Sequence, residues 1–518
     1  GIITIAGLLL YGVMTGMSLA TMRAIWMMVI LLVAQMFGKS YDMPTAMGLA
    51  LFVMLLCNPV RILDAGMQLS YMAIAGISLG NYGMKRLHKK AGFRRLQKRY
   101  PLRFRIVQSL FYSVTLQGMM LPVVAKNYYE IPVYAGLLNL IVVPGMTVVV
   151  AGSWLGLLVS IGSISLGRFV MLPVGWMLQG YTWLCERSLE LPWNTLVTGA
   201  IQGWQIGMWY GGIACTLVLL RTKTRNRLRD FVYKHTGRFW RKREITRYTV
   251  CVIMLSMLIQ AGGQALCMWQ QRAEAIYFLD VGQGDGILIR SPDGRNIVID
   301  CGSTSQSKCG TYTLLPALRS QGMTEVDCWF VTHTDEDHIS GWKELLTQGK
   351  LAQIKVRTVV FSAYVFQDEA LAELEAMIRA AGISIVWMKE GDVIGDDTFT
   401  LTCLHPTAEY RAKDKNAASL ALAYHSNTFD MLFTGDMDTD AIEHMDIQQD
   451  YDCIKLPHHG SKYSYVEGFY THADYGLISC GYNNRYGHPH AEVLQGLAQE
   501  GTKILRTDEM GAVVFRGR

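Results

Sequence analysis

The chain has 518 residues and a formal net charge of +6; 51% of its residues are hydrophobic, 28 are methionine, and the mean hydropathy is +0.20. These values exclude an ordinary string of soluble domains and place much of the chain in lipid. The small net charge hides two opposite halves: residues 1–270 carry 27 Lys and Arg against 7 acidic residues, a net +20, and residues 271–518 carry 21 against 35, a net −14.

The expected organisation follows that division, with a multi-span membrane domain over 1–270 and a second domain over 271–518. A bilayer core needs roughly twenty apolar residues per helix. About nine stretches approach that length, near 2–20, 24–37, 44–57, 66–82, 106–125, 132–160, 168–185, 201–220 and 248–269. The run IVVPGMTVVVAGS around Pro144 predicts a broken or re-entrant helix. Gly1 already lies inside an apolar run with no charged segment before it, so no signal peptide is read there and the sequence is expected to start in mid-protein. Arg23 in SLATMRAIWMM, and Asp64 and Gln68 in LDAGMQLSYMA, are polar groups at membrane depth. Such groups line a translocation path, or, in the case of Asp64, mark a helix N-terminus at the interface.

Residues 85–105 hold ten basic residues and no acid, and residues 221–247 hold eleven against two acids. The positive-inside rule makes both loops cytoplasmic, although basic loops also bind nucleic-acid phosphates. Four candidate spans between them return the chain to the same side. The stretch at 248–269 then crosses once more and delivers residues 271–518 to the outer face. Among the eleven cysteines there is no CxxC spacing, which excludes a zinc ribbon or a regular disulfide scaffold. Cys301 and Cys309 would pair if their loop faced an oxidising compartment, and otherwise are buried thiols.

From residue 276 the pattern changes to short strands and turns: AIYFLDVGQGDG, the hairpin GILIRSPDGRNIVID, VDCWFVTHTDEDHISG, a helix over 369–381, then ISIVWMK, TFTLTCLHP, SLALAYH, TFDMLFTGD, DCIKLPHHGS, YGLISCGYNN, KILRT and AVVFRGR. Many strands and few helices predict a two-sheet α/β sandwich. Its polar clusters fall at strand ends: HTDEDH, TGD, LPHHGS and YGHPH. In HTDEDH, His333 and Asp335 face one ion, and Asp337 and His338 a second.

HTDEDHISG, preceded by VIDCG and followed by TGD and LPHHGS, resembles the metallo-β-lactamase fold. FLDVGQGDG, VIDCGS, DKNAASLAL, FTGD, KLPHHGS and NNRYGHPH, together with TGMSLATMRAIWM, NPVRILDAGMQLSYMAIAGI and LNLIVVPG in the first half, resemble the ComEC family, the inner-membrane channel of bacterial DNA uptake. The resemblance spans essentially the whole chain and lacks the family's N-terminal helices and OB-like module. It implies a polytopic α-helical membrane domain followed by an αββα metallo-β-lactamase-like domain held outside the cytoplasmic membrane.

It further implies two divalent metal ions on His333, Asp335, Asp337, His338, Asp436 and His458, with Asp300 orienting the site. Asp335 replaces the usual second histidine of HxHxDH, and the third motif offers Asn416 and Ser419 in place of histidine. Carboxylate in place of imidazole makes Mn²⁺ as suitable as Zn²⁺. Asp337, Lys455 and His459 are the expected catalytic groups, the last two stabilising charge on the reacting phosphate. Asp285, Ser461 and His488 are expected to support the ligands or contact substrate.

The implied activity is metal-dependent hydrolysis of one strand of incoming DNA, with a membrane channel passing the other strand inward. Implied partners are a cytoplasmic motor ATPase, since the chain carries no GxxxxGK[ST] motif, and an extracytoplasmic DNA receptor; oligomeric assembly stays open. Two alternatives are a channel whose metal domain only binds or gates, and a membrane-tethered hydrolase of small molecules.

Overall fold

A computed structural model describes residues 1–39, 42–89, 91–220, 273–347, 354–445, 447 and 449–517, with isolated positions between 227 and 266. The chain divides into two compact units, Gly1–Ala261 and Gly262–Arg518.

The first unit is helical. Its described helices are α1 (Ile2–Met14), α2 (Leu19–Met36), α3 (Met43–Cys57), α4 (Ala65–Leu87), α5 (Ala91–Arg99), α6 (Pro101–Tyr128), α7 (Ala135–Gly162), α8 (Ile164–Leu189) and α9 (Gly203–Leu220). Three of them, α2, α6 and α7, are long and apolar enough to cross a membrane, and their faces carry large exposed apolar side chains, as a membrane protein requires. The expected span at 248–269 and the basic loop at 221–247 lie mostly outside the described residues.

The helix expected to break at Pro144 does not break: α7 runs continuously through it. Pro144 is exposed within an apolar run, and in lipid a backbone group left outside the helix has no water to bond, which favours a locally adjusted helix over a break. α4 and α6 pack closely where a Cβ on Gly76 would lie 2.8 Å from the Leu116 Cα, the small-residue contact by which membrane helices associate. A two-stranded ribbon, β1 (Glu130–Pro132) antiparallel to β2 (Thr195–Val197), ties the α6–α7 connection to the α8–α9 connection.

Of the two roles expected for Asp64, the structure shows the helix start. The Asp64 carboxylate accepts the Met67 N–H at 2.7 Å as the N-cap of α4. Gln68 donates to the Ile62 carbonyl at 2.9 Å and accepts from Asn127 at 3.2 Å. The unpaired amide groups of a helix start attract a carboxylate more strongly than an open face does. Arg23 lies half-buried on α2, with its Nε buried and without a hydrogen bond.

The second unit is an αββα sandwich. Its first sheet has the order β16 (Val513–Arg516), β3 (Ala275–Phe278), β4 (Gly286–Arg290), β5 (Asn296–Asp300), β6 (Glu325–Phe330), β7 (Lys355–Ser362), β8 (Ser384–Met388). The second runs β15 (Lys503–Arg506), β14 (Ala473–Ile478), β13 (Tyr451–Lys455), β12 (Asp430–Phe433), β11 (Ala421–Ser426), β10 (Phe399–His405), β9 (Val393–Gly395). Alternation along the strands decides the layers. Ile276, Phe278, Ile287, Ile289, Ile297 and Ile299 meet Phe399, Leu401, Leu422, Tyr424 and Phe433 between the sheets.

The opposite face of the first sheet, including Leu288, Val298 and Trp329, packs under α10 (Leu315–Ser320), α11 (Glu336–Thr347) and α12 (Glu369–Ala380). Trp329 stacks on Trp342 of α11 with ring centroids 4.4 Å apart. The outer face of the second sheet lies under α13 (Thr439–Glu443) and α14 (Ala491–Glu500). Strands β5 to β8 run parallel, as do β12 to β15. Their carboxyl ends are where a loop can leave a strand and present side chains at a crevice.

Candidate metal centre

The stretch Val331–Asp335 leaves the carboxyl end of β6 and turns directly into α11. The Asp335 carbonyl accepts the His338 and Ile339 N–H groups at 2.9 and 3.1 Å, which starts the helix and points Asp337 and His338 back over the strand end. Two glycines make room for this turn. A Cβ on Gly302 would lie 2.5 Å from the Glu336 carbonyl oxygen, and one on Gly284, at φ +151, 2.5 Å from that of Asp337, so VIDCGS and GQGDG press backbone on backbone beneath the cluster.

His338 is fully buried. Its Nδ1 donates to Asp300 Oδ2 at 2.8 Å, and Asp300 also accepts the Thr332 N–H at 2.8 Å and the Thr332 hydroxyl at 2.6 Å. This fixes the ring so that Nε2 faces Asp436 Oδ2 at 3.3 Å. His459 is oriented in the same manner by the Ser479 carbonyl at 2.8 Å on Nδ1. Its Nε2 lies 3.5 Å from Asp337 Oδ2 and 3.4 Å from Asp436 Oδ2. His333 Nδ1 lies 3.1 Å from the Thr332 hydroxyl and 3.4 Å from that of Ser419, leaving Nε2 toward Asp335 Oδ2 at 3.7 Å. Ligand-type atoms of Asp337, His338 and His459, and of His333, His338 and Asp436, gather within 4.8 Å of one another, as do two further sets that include Asp285.

Burial works against charge on His338 and His459, yet their carboxylate neighbours prevail. Asp436 and Asp300 lift His338 well above the ordinary histidine value, and Asp436, Asp285 and Asp337 hold His459 at about 10. Burial likewise opposes ionisation of Asp436, and His459, His338 and Lys455 outweigh it, holding this carboxyl well below the usual range. Burial and then the charge of His338 push His333 down to about 3, which keeps its ring neutral.

The donor set fits a divalent cation. His333 Nε2, His338 Nε2, His459 Nε2, Asp436 Oδ1 and Asp285 Oδ1 are all buried without a hydrogen-bond partner, an arrangement that costs energy unless an ion satisfies it.

The structure corrects several expected roles. His458 does not join the cluster; its neighbour His459 does. Both residues adopt left-handed backbone, at φ 48° and 55°, which turns the two side chains apart and leaves His458 in the cleft wall. Lys455 does not face the cleft. It is buried at 1% exposure, ion-paired with Asp285, donating to the Gly435 carbonyl at 2.8 Å and lying 3.6 Å from Asp436. Ser461 sits at the head of the turn at 462–464 and accepts the Tyr463 N–H, so it is a turn cap.

Asp335 is only partly buried. Its Oδ1 pairs with Lys415 at 3.1 Å, and Lys415 also reaches Asp368 at 2.8 Å. Asn416 lines the cleft with its Oδ1 unpartnered, Ser419 accepts the Asp436 N–H at 3.1 Å, and His488 lines the cleft beside His458. The Cys301 and Cys309 sulfurs lie 3.8 Å apart as buried free thiols. Sequence reasoning did not single out Thr332 and Lys415; each is adjacent to a chosen motif residue, and their roles come from what they touch across the fold.

The cluster opens into a cleft of about 310 Å³ whose wall includes Asp335, Asp337, Asp436, His458, Tyr486 and His488. An αββα sandwich with a His/Asp cluster at its parallel strand ends, in a chain that also carries apolar membrane helices, defines a metallo-β-lactamase-type membrane protein. Comparison with known proteins agrees: residues 2–223 match the Competence protein family model and residues 279–407 that of the Metallo-beta-lactamase superfamily.

It is similar to ComE operon protein 3 of Bacillus subtilis (strain 168), 26% identical over 527 residues, which covers 98% of this chain and 62% of that protein. It is also similar to the competence protein ComA of Neisseria gonorrhoeae, 28% identical over 248 residues, which covers 46% of this chain and 32% of that protein. The chain thus spans less than two thirds of the length of either relative. Among solved structures it resembles the metallo-beta-lactamase fold protein YhfI from Bacillus subtilis, 13% identical with a TM-score of 0.34, covering 47% of this chain and 100% of that one. It also resembles Zn(2+)-bound PqqB from Methylobacterium extorquens, 8% identical with a TM-score of 0.29, covering 45% and 88%. The superfamily match supports a divalent-metal-dependent hydrolase as the class of the C-terminal unit.

Proposed function

We propose that the chain serves DNA uptake in natural transformation, with the helical unit conducting a single strand through the cytoplasmic membrane and the C-terminal unit, on the outer side, hydrolysing the strand that is not transported. The observation that carries the hydrolase reading is the set of buried ligand atoms without a hydrogen bond on His333, His338, His459 and Asp436 at one end of an open cleft. In this reading Asp337, His338, Asp436 and His459 hold one ion, and His333, Asp335 and Asp436 a second. Zn²⁺ and Mn²⁺ both suit this mixture of imidazole and carboxylate. Bound divalent ions supply a lowered pKa for water and charge stabilisation at a phosphodiester.

The protein's own groups prepare the site. Asp300 and the Ser479 carbonyl keep the His338 and His459 Nε2 lone pairs aimed at the cluster. Lys455 offsets the charge that Asp285 and Asp436 accumulate in a buried place, and Lys415 holds Asp335 at the rim. A motor ATPase and a DNA receptor are the proposed partners. The test uses the full chain in lipid nanodiscs with labelled linear DNA and Mn²⁺ or Zn²⁺. Cleavage lost in His338→Ala and His459→Ala, with both variants still folded by circular dichroism, supports the reading. Stoichiometric metal without cleavage overturns it.

A further inference from the structure

Several cations of the C-terminal unit are paired with carboxylates: Arg295 with Asp293 and Asp396, Lys343 with Glu336 and Glu373, Arg357 with Glu325, and Lys413 with Asp438. Lys462 and Arg485 are not, and what separates them from other exposed cations that lie over tyrosines, Lys503 and Arg516, is their place on the loops beside the cleft. Both are exposed, and neither makes an ion pair among the described residues. Each rests on a tyrosine instead, Lys462 Nζ 5.5 Å from the Tyr463 ring centroid and the Arg485 guanidinium carbon 4.8 Å from that of Tyr486. A cation over a ring keeps its net charge for a third group, whereas an ion-paired cation has most of its field cancelled.

Both positions are tied to the cleft. Tyr486 is in the cleft wall and stacks on His488 with centroids 5.7 Å apart and planes 23° apart; His488 lies 6.3 Å from His459 in the metal cluster. A column Arg485–Tyr486–His488–His459 therefore leads from solvent to the ligands. Asn484 Oδ1 accepts the Tyr486 and His488 N–H groups at 3.1 and 3.0 Å, which holds this loop in shape. On the neighbouring turn the Lys462 N–H donates to His490 Nδ1 at 3.3 Å, and the His490 ring lies 5.0 Å from His488. Tyr463 and Tyr482 are 71% and 85% exposed, offering ring surface of the kind on which unpaired bases stack.

We infer that Lys462 and Arg485 are the phosphate grip of the cleft, holding backbone phosphates on either side of the one to be cleaved in an unpaired nucleic-acid strand. The inference rests on the phosphodiesterase reading above and adds to it the residues that hold the polymer. It also bears on how a unit of net charge −14 over residues 271–518 engages a polyanion: two cations without an ion pair stand on the loops that carry Tyr486, His488 and His490.

The experiment compares the full chain in nanodiscs with the variant Lys462→Ala/Arg485→Ala and with the charge-retaining Lys462→Arg/Arg485→Lys, each saturated with Mn²⁺. The substrates are a single-stranded oligonucleotide and bis(p-nitrophenyl) phosphate, which has no flanking phosphates. The alanine variant is expected to raise KM for the oligonucleotide about tenfold and to flatten the dependence of log Kd on log salt by about 1.4, two single-strand phosphate contacts at ~0.7 each. kcat and hydrolysis of the small diester stay at wild-type values, and the charge-retaining variant restores KM. If the wild type cleaves the oligonucleotide and the alanine variant does so with unchanged KM and salt slope, the grip is overturned and the hydrolase stands. If the metal-loaded wild type cleaves neither substrate, the hydrolase reading falls and the grip falls with it.

Discussion

Replacing Asp300 by Asn tests whether His338 is a metal ligand oriented from behind. Asp300 is 1% exposed and accepts three hydrogen bonds, from the Thr332 N–H, the Thr332 hydroxyl and His338 Nδ1. Its backbone is left-handed, at φ 56°, a conformation asparagine adopts readily, so the substitution leaves the chain path in place. The main-chain N–H of Thr332 can only donate, so the Asn oxygen must stay on it and the new NH₂ group falls on His338 Nδ1. That nitrogen must then accept, which moves the imidazole proton to Nε2 and removes the lone pair meant for the metal.

Outer partners of this kind typically change metal affinity by 10- to 100-fold, about 1.4 to 2.8 kcal/mol. The assay is calorimetric titration of Mn²⁺ into the metal-free full chain in nanodiscs, wild type beside Asp300→Asn, with thermal melting of both as a check on folding. A well-folded variant whose affinity lies within twofold of wild type refutes the reasoning, because His338 would then not depend on the proton that Asp300 holds.

Three further outcomes are expected. His459→Ala removes a ligand and lowers bound metal by about one ion per chain, whereas His458→Ala leaves it unchanged; elemental analysis of dialysed protein separates the two. Without metal, His459 has a folded pKa of about 10, above the ordinary histidine value. It therefore adds stability that is fully present below pH ~6.5 and is lost as pH rises toward 10; melting temperature of the metal-free chain across that window, against His459→Gln, measures the difference. Lys455→Met leaves Asp285 buried beside Asp436 without its countercharge. It should cost about 3–5 kcal/mol, read as a lower denaturant midpoint, and Lys455→Met/Asp285→Leu should recover part of the loss.

The chemistry of the site was legible because it is local: HTDEDH, TGD and LPHHGS place nitrogen and oxygen ligands at strand ends, and the two-residue period of the strands separates a face toward the second sheet from one toward the helices. The apolar runs of the first half were readable for a related reason, since a bilayer imposes length and composition on any span. Boundaries and local ties were less accessible. Gln68 appeared beside an apolar run without revealing that it ties the Ile62 carbonyl to Asn127, and Pro144 signalled a break that the surrounding helix absorbs.

The membrane helices, the sandwich and the types of ligand were thus determined by the amino-acid sequence alone, through hydrophobic periodicity and side-chain chemistry that act within one segment. Tertiary structure decided which groups meet. In Pro457–Gly460 two adjacent histidines are equivalent as letters, and a left-handed backbone at both sends His459 into the cluster and His458 to the wall. Lys455 looked like a group for substrate, yet pairing with Asp285, 170 positions earlier in the sequence, buries it beneath the ligands. Contacts of that separation depend on how two sheets and their loops close on each other, and a carboxylate that must be neutralised inside the protein captures the nearest cation before any ligand arrives.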